Sequence, residues 1–232
     1  MTDRPKPHYF SLVDILLWSL SVLLCLLSYI CFRTSSPLTL AASLVGVTSL
    51  ILCAKGNPIG QALMIVFSVL YAILSYMQAY YGEMLTYLGM TAPMALVSLI
   101  AWLRHPYRGR RAEVEVRALT RRDVRSLALL SVPVTVSFYF LLRYFGTASL
   151  AVSTLSVLTS FVAVYLTFIR SPFFALAYAA NDAVLIVLWA VASAQDRQYY
   201  GVLICFIAFL FNDLYGFISW RRMQRRQERS DE

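Results

Sequence analysis

Long apolar runs dominate the chain. Eight of them, at 12–32, 38–54, 59–79, 84–103, 127–145, 149–169, 173–194 and 200–220, are parted mostly by short polar, glycine or proline turns. A helix rises 1.5 Å per residue, so about 20 apolar residues cross the hydrocarbon core of a bilayer. The pattern therefore predicts an all-α integral membrane protein with about eight transmembrane helices. One longer hydrophilic stretch, 104–126, divides the first four spans from the last four. Residues 113–117 alternate polar and apolar, which predicts a short extended piece. Thr120 followed by Asp123 has the form of a capping box opening the fifth span. The rest of this linker reads as a connector without chemistry.

Two polar pairs interrupt the apolar runs. Asn181-Asp182 lies in the seventh span and Asn212-Asp213 in the eighth. A carboxylate at the centre of a membrane helix costs about 3 kcal/mol on insertion scales, so such groups face a bundle interior or a watery path. Phe174, Tyr178, Asn181, Leu185 and Trp189 fall near one face of the seventh span, with Asp182 beside them. Asn212, Tyr215 and Ser219 share a face of the eighth, next to Asp213. The first half adds less: Gln61 near one end of its third span, Tyr71 and Tyr76 deeper, and Gln78 near the other end. Aromatic faces suit a flat ring, carboxamides pair with amides and hydroxyls, and a carboxylate favours a cation. Such a set fits a small planar, hydroxylated, positively charged solute. The competing reading of the Asn and Asp residues is an interhelical clamp.

The two halves share landmarks in the same order. Lys55-Gly56-Asn57-Pro58 corresponds to Arg170-Ser171-Pro172, with Asn57 and Ser171 as helix N-caps and each proline in the first turn. Tyr80-Tyr81-Gly82 corresponds to Tyr199-Tyr200-Gly201. Trp102 and Trp220 each precede arginines, as interfacial aromatics do. Like-oriented repeats of this kind place a transporter's substrate site between the halves. Small residues line one face of the second span (Ala42, Gly46, Ser49, Cys53) and of the sixth (Ser149, Ser153, Ser156, Ser160), as close helix packing requires. Pro93 and Pro133 bend the spans that hold them.

Charge changes the picture by its placement. The net charge is +8, yet the arginines gather in 104–126 and after Trp220. Basic loops stay cytoplasmic. Both segments and the N-terminus, with Arg4 and Lys6, are thus expected inside, and the turns holding Glu83 and Asp196 outside. Arg33 and Arg143 are mild exceptions. Clustered at membrane boundaries, this charge does not indicate nucleic acid. No cleavable leader is expected, because the first apolar run is too long. Cys25, Cys31, Cys53 and Cys205 show no CxxC spacing and read as small apolar side chains. The only histidines are His8 and His105. No catalytic set, metal site or cofactor is expected, which argues against an enzyme. A passive scaffold would not need polar pairs at mid-depth in two helices.

The stretches GNPIGQALMIVFSVLYAILSY (56–76), YYGEMLTYLGMTAPMALVSLIAWLR (80–104), YAANDAVLIVLW (178–189) and FNDLYGFISW (211–220) resemble the PnuC-type nicotinamide riboside transporters of bacteria. The resemblance covers roughly 40–220. It implies a SWEET-like core in a three-plus-one-plus-three arrangement: an N-terminal helix at 12–32, a first repeat at 38–103, the linker, a connecting helix at 127–145, a second repeat at 149–220 and a basic tail at 221–232. It also implies a homotrimer in the bacterial cell membrane and facilitated diffusion of the vitamin, trapped by cytoplasmic phosphorylation. Asn181 and Asn212 match the family's ligand asparagines. Asp182, Asp213, Phe174, Tyr178, Gln61 and Trp189 complete the expected substrate site. Members specific for nicotinamide riboside often carry tryptophans where this chain has Phe174 and Ala177. The departure leaves thiamine, riboflavin, deoxynucleosides or sugars as alternatives, with proton coupling through Asp182 or Asp213 as a further one.

Overall fold

The computed structural model describes residues 9–31, 36–77, 80–147 and 149–231. Arg4, Lys6, His8, Arg33 and Gln78 lie outside the described residues. Helix α1 spans Leu12–Cys31, α2 Pro37–Ala54 and α3 Pro58–Met77. Helix α4, Tyr81–Thr86, passes through a π-helical turn, Tyr87–Thr91, into α5, Ala92–Arg104. A hairpin follows, β1 Pro106–Tyr107 against β2 Arg110–Val114. Then come α6 Arg121–Tyr144, α7 Leu150–Phe168, α8 Phe173–Gln195, a 3-10 turn Arg197–Tyr199, and α9 Tyr200–Asp231. With α4 through α5 counted as one, eight described helices are long and apolar enough to cross a membrane.

The core is a closed ring of helices in chain order. Helix α2 packs on α3, α3 on α5, α5 on α7, α7 on α8, α8 on α9, and α9 back on α2. Helix α6 lies outside against α7, and α1 lies outside against α2 and α9. Small residues permit the close approaches. Gly60 presses on α2 so tightly that a Cβ would sit 2.6 Å from the Cys53 nitrogen, while Ser49 Oγ donates to the Gly60 carbonyl at 2.8 Å. The stripe Ala42, Gly46, Ser49 and Cys53 is buried, as are Ser153, Ser156 and Ser160. Ser149, by contrast, is exposed before the first turn of α7.

The two inner turns close alike. Asn57 N–H donates to the Leu52 carbonyl and Gly56 N–H to that of Cys53; Ser171 N–H donates to Leu166 and Arg170 N–H to Thr167. Gly56 and Arg170 occupy the left-handed region, with φ of 67° and 62°, as this helix ending demands. Asn57 Oδ1 caps α3 by accepting from Ile59 N–H. Ser171 does not act as the expected cap. Its hydroxyl is buried without a partner among the described residues, and Pro172 takes the cap position of α8.

Trp102 and Trp220 are corrected from interfacial anchors to core. Both are fully buried, and their bonds are reciprocal. Trp102 Nε1 donates to the Thr167 carbonyl at the end of α7, and Trp220 Nε1 to the Cys53 carbonyl near the end of α2. An indole satisfies its one donor this way without facing a headgroup.

The linker is also corrected, from inert connector to clasp. The hairpin turns through Arg108 and Gly109, both at positive φ, the twist that two-residue hairpin loops prefer. The extended stretch thus starts earlier than expected. At the end of β2 Val114 N–H donates to the Gly56 carbonyl, and beyond it Arg117 N–H donates to that of Arg170, tying the two inner turns together. The capping box at Thr120 and Asp123 forms as expected. Helix α9 runs through the basic tail to Asp231, because residues 217–231 hold no Gly or Pro and consist largely of good helix formers. Gln227 of this extension accepts from Val116 N–H and donates to the Val114 carbonyl. The π turn immediately precedes Pro93, whose missing N–H cannot continue the ladder. Pro133 sits inside α6.

An ion pair fixes the outer helix α1. Asp14 Oδ2 is 2.9 Å from Lys55 Nζ, and Asp14 also accepts from Ser11 and Tyr215. The Asp14 side chain is 0% exposed and that of Lys55 21%. Lysine freed of its partner can turn to water, whereas the aspartate cannot. Lys55→Met is therefore expected to cost about 2–3 kcal/mol and Asp14→Asn clearly less, read as melting temperatures of the purified protein.

Candidate functional site

The interior of the ring is polar at mid-depth and aromatic at both ends. Asn181 and Asp182 on α8, and Asn212 and Asp213 on α9, are all buried. Asp182 and Asp213 approach within hydrogen-bonding reach of each other across the α8–α9 interface. Asp182 Oδ2 has no hydrogen-bond partner among the described residues. The groups in electrostatic range of this pair are Tyr87, Tyr178, Cys53 and Cys205. Among the described residues no cation acts on either carboxyl group. A buried acidic pair without a counter-charge is costly. It is the chemical complement of a cationic solute.

The asparagines are placed differently. Asn181 Oδ1 accepts from Thr159 Oγ1 at 2.8 Å and Ser160 Oγ at 3.0 Å, which clamps α8 to α7. Asn212 Nδ2 donates to Ser21 Oγ of α1 at 2.8 Å and to the Ala208 carbonyl at 2.7 Å. Its Oδ1 is buried without a partner among the described residues. The stripe Asn212, Tyr215 and Ser219 is a real face, but it points to α1 and α2: Tyr215 bonds Asp14, and Ser219 the Ala54 carbonyl. Asp213, one residue and 100° further round, turns instead toward Asp182.

Phe174 and Trp189 are not brought to the polar pairs. They stand fifteen residues apart on one helix, about 22 Å. Phe174 packs edge-on against Trp220 and Trp102 at the basic end, where the linker and tail lie. Trp189 belongs to the far end, 4.9 Å from Tyr80 and 5.6 Å from Tyr199 between ring centroids. Its Nε1 donates to Tyr71 OH at 2.9 Å. Tyr178 sits between the polar pairs and the basic end, in electrostatic range of Asp213 and near Thr167. Gln61 is buried and donates to Cys53 Sγ at 3.3 Å, beside the pair. Tyr76 is exposed and takes no part.

One residue was missed by sequence reasoning. Glu83 is not in an outer turn: it lies in the first turn of α4, 2% exposed, with Oε2 lacking a described partner. It acts electrostatically on Tyr71 and Tyr87, whose rings stand 4.4 Å apart. The neighbouring Tyr-Tyr-Gly and the charge itself signalled a loop. Only the start of the apolar run one residue later hinted otherwise. Glu83, the tyrosines and the Asp182–Asp213 pair form a polar seam along the ring. A cavity lined by Phe67, Tyr71 and Phe206 beside it holds about 10 Å³, about one water. The ring is closed here to anything larger than a water.

The family model described as nicotinamide mononucleotide transporter matches residues 36–222. The chain belongs to this family. It is 28% identical over 199 residues to the nicotinamide riboside transporter PnuC of Neisseria mucosa, covering 84% of this chain and 76% of that one. Identity to the PnuC of Haemophilus influenzae is 23% over 192 residues, 82% of each chain. The crystal structure of a vitamin B3 transporter PnuC superposes with a TM-score of 0.82 at 25% identity, over 94% of both chains. These relatives are transporters and not enzymes, and with eight described helices long and apolar enough to cross a membrane this chain is a multi-pass membrane protein.

Proposed function

We propose that this protein carries nicotinamide riboside, or a closely related vitamin or nucleoside, across the bacterial cell membrane by facilitated diffusion, with cytoplasmic phosphorylation as the trap. The observation that carries the proposal is the Asp182–Asp213 pair, buried in the ring without a described cation. Nicotinamide riboside bears a cationic pyridinium and a hydroxylated sugar, which match carboxylates and carboxamides respectively. In this reading Asp182, Asp213, Tyr178 and Gln61 contact the solute directly. Asn181 and Asn212 exchange part of their clamp bonds for it, and the layers of Phe174 and Trp189 close the two ends. The basic end faces the cytoplasm, in accord with its arginines. The ring of three plus three helices, with α6 outside and exchanged indole bonds, supports two like-oriented halves that rock against each other. The exposed apolar surface of α6 supports a lipid-facing or protomer-facing role within a homotrimer.

Labelled nicotinamide riboside should equilibrate into proteoliposomes and stop at the external concentration. A second reading, proton coupling, is favoured by the contact between two carboxyl groups: a carboxylate only accepts, so a hydrogen bond between them requires one proton. Accumulation of unmodified substrate driven by a pH gradient would select it over facilitated diffusion. An absence of riboside uptake, with thiamine or riboflavin taken up instead, would move the substrate to the vitamins that the Phe174 and Ala177 departure admits.

A further inference from the structure

A cavity of about 400 Å³ opens at the basic end of the bundle, away from the polar seam. It lies where four separate parts of the chain meet: the start of α1, the α2–α3 turn, the hairpin and the extension of α9. Lys55, Arg110, Arg222 and Arg226 line it, with the rings of Tyr9 and Tyr215. Two of the four cations are answered. Lys55 pairs with Asp14, and Arg226 with Glu113. Arg110 from the hairpin and Arg222 from α9 have no described ion pair or hydrogen bond. A run of charge along one helix is ordinarily a solvated face. Cations converging on a concave site from separate elements, with two left over, are not.

We propose that this cavity binds a phosphate-bearing ligand at the basic end. Guanidinium forks match phosphate oxygens in pairs, and the volume falls in the range of small-ligand pockets, about 300–1,000 Å³. The acidic member of the lining, Glu113, is already paired with Arg226, and Lys55 with Asp14 of α1, so the surplus charge is that of Arg110 and Arg222. Two sources supply the same chemistry: a soluble nucleoside phosphate, or the headgroup of an anionic lipid. An occupant would join the hairpin to α9 beside Lys55, and so bind the inner turn of the first half to the last helix of the second.

The test uses the full purified chain. Adenosine monophosphate is titrated by calorimetry against the wild type and Arg110→Gln/Arg222→Gln, with adenosine as the ligand lacking phosphate and Arg125→Gln, an exposed arginine outside the cavity, as the control. In parallel, melting temperatures are compared in phosphatidylglycerol and phosphatidylcholine nanodiscs. Binding of the monophosphate but not of adenosine, weakened about tenfold or more in the double variant and unchanged in Arg125→Gln, supports a soluble source. Stabilisation by phosphatidylglycerol alone, lost in the double variant, supports the lipid source. Neither effect, or effects equal in the cavity and control variants, overturns the proposal. Arg110→Gln by itself, on the hairpin surface, gives the same readout if the double variant does not fold. Riboside uptake is measured separately, so failure here leaves the transport proposal standing, and the reverse.

Discussion

Asp182→Asn is expected to lower the affinity for nicotinamide riboside about tenfold or more, while leaving the protein folded. The substitution keeps shape and volume and removes one of the two carboxyl groups that share the pair's negative charge. The pair has no described cation to offset the cost of its burial, and in the function proposed above the cationic solute supplies one. Truncating one side of a buried charge pair costs about 2–5 kcal/mol, and each 1.4 kcal/mol is a factor of ten. A neutral analogue of the riboside separates electrostatics from packing: its affinity should change little. Asp213→Asn should behave alike, and the double variant should cost less than the sum, because the two carboxyl groups act on one another. Unchanged riboside affinity in Asp182→Asn would sink the ion-pair account. The Asn181 clamp would then remain as the described polar contact at that depth in α8.

Trp220→Ala should be the most destabilising single change in the ring, at about 3–5 kcal/mol. Its side chain is fully buried, 4.8 Å from Phe174 and 5.3 Å from Trp102 between ring centroids, and donates to the Cys53 carbonyl at 2.7 Å. Trp220→Phe retains most of the ring area and loses only the donor, so it should cost about 1 kcal/mol. The difference between the two variants, read from thermal unfolding in one detergent, measures packing apart from the hydrogen bond. Trp102→Ala should combine with Trp220→Ala for less than the sum of the two, since each removes a neighbour of the other. Equal and additive losses from the two tryptophans would show that they do not share one core.

The comparison of these two sites explains what could be seen in the chain without its fold. Every transmembrane helix was legible, because a bilayer sets both the length and the apolarity of a span. The matching inner turns were legible too, because a left-handed helix ending followed by proline leaves a short local signature at Gly56 and Pro58. The Asn-Asp pairs stood out for a similar reason: charge in hydrocarbon is costly enough that few positions carry it.

Partnership was not legible. Asn212 and Asp213 are adjacent in sequence, yet one reaches α1 and the other α8, because successive residues on a helix point 100° apart. Trp102 and Trp220 looked like membrane-boundary anchors because an interfacial indole and a buried one have the same neighbours in sequence; only the carbonyl each one meets in the other half distinguishes them. Glu83 looked like a loop residue because no local rule says that a turn at its edge folds back into the ring. The sequence alone determined that the chain crosses the membrane about eight times, with acidic and amide groups inside two of its spans, since hydrophobic thickness and helix endings are local constraints. Which of those groups meet, which clamp helices, and where the basic cavity forms were decided only by tertiary packing, since such contacts join different helices, from 21 to 191 positions apart in the chain.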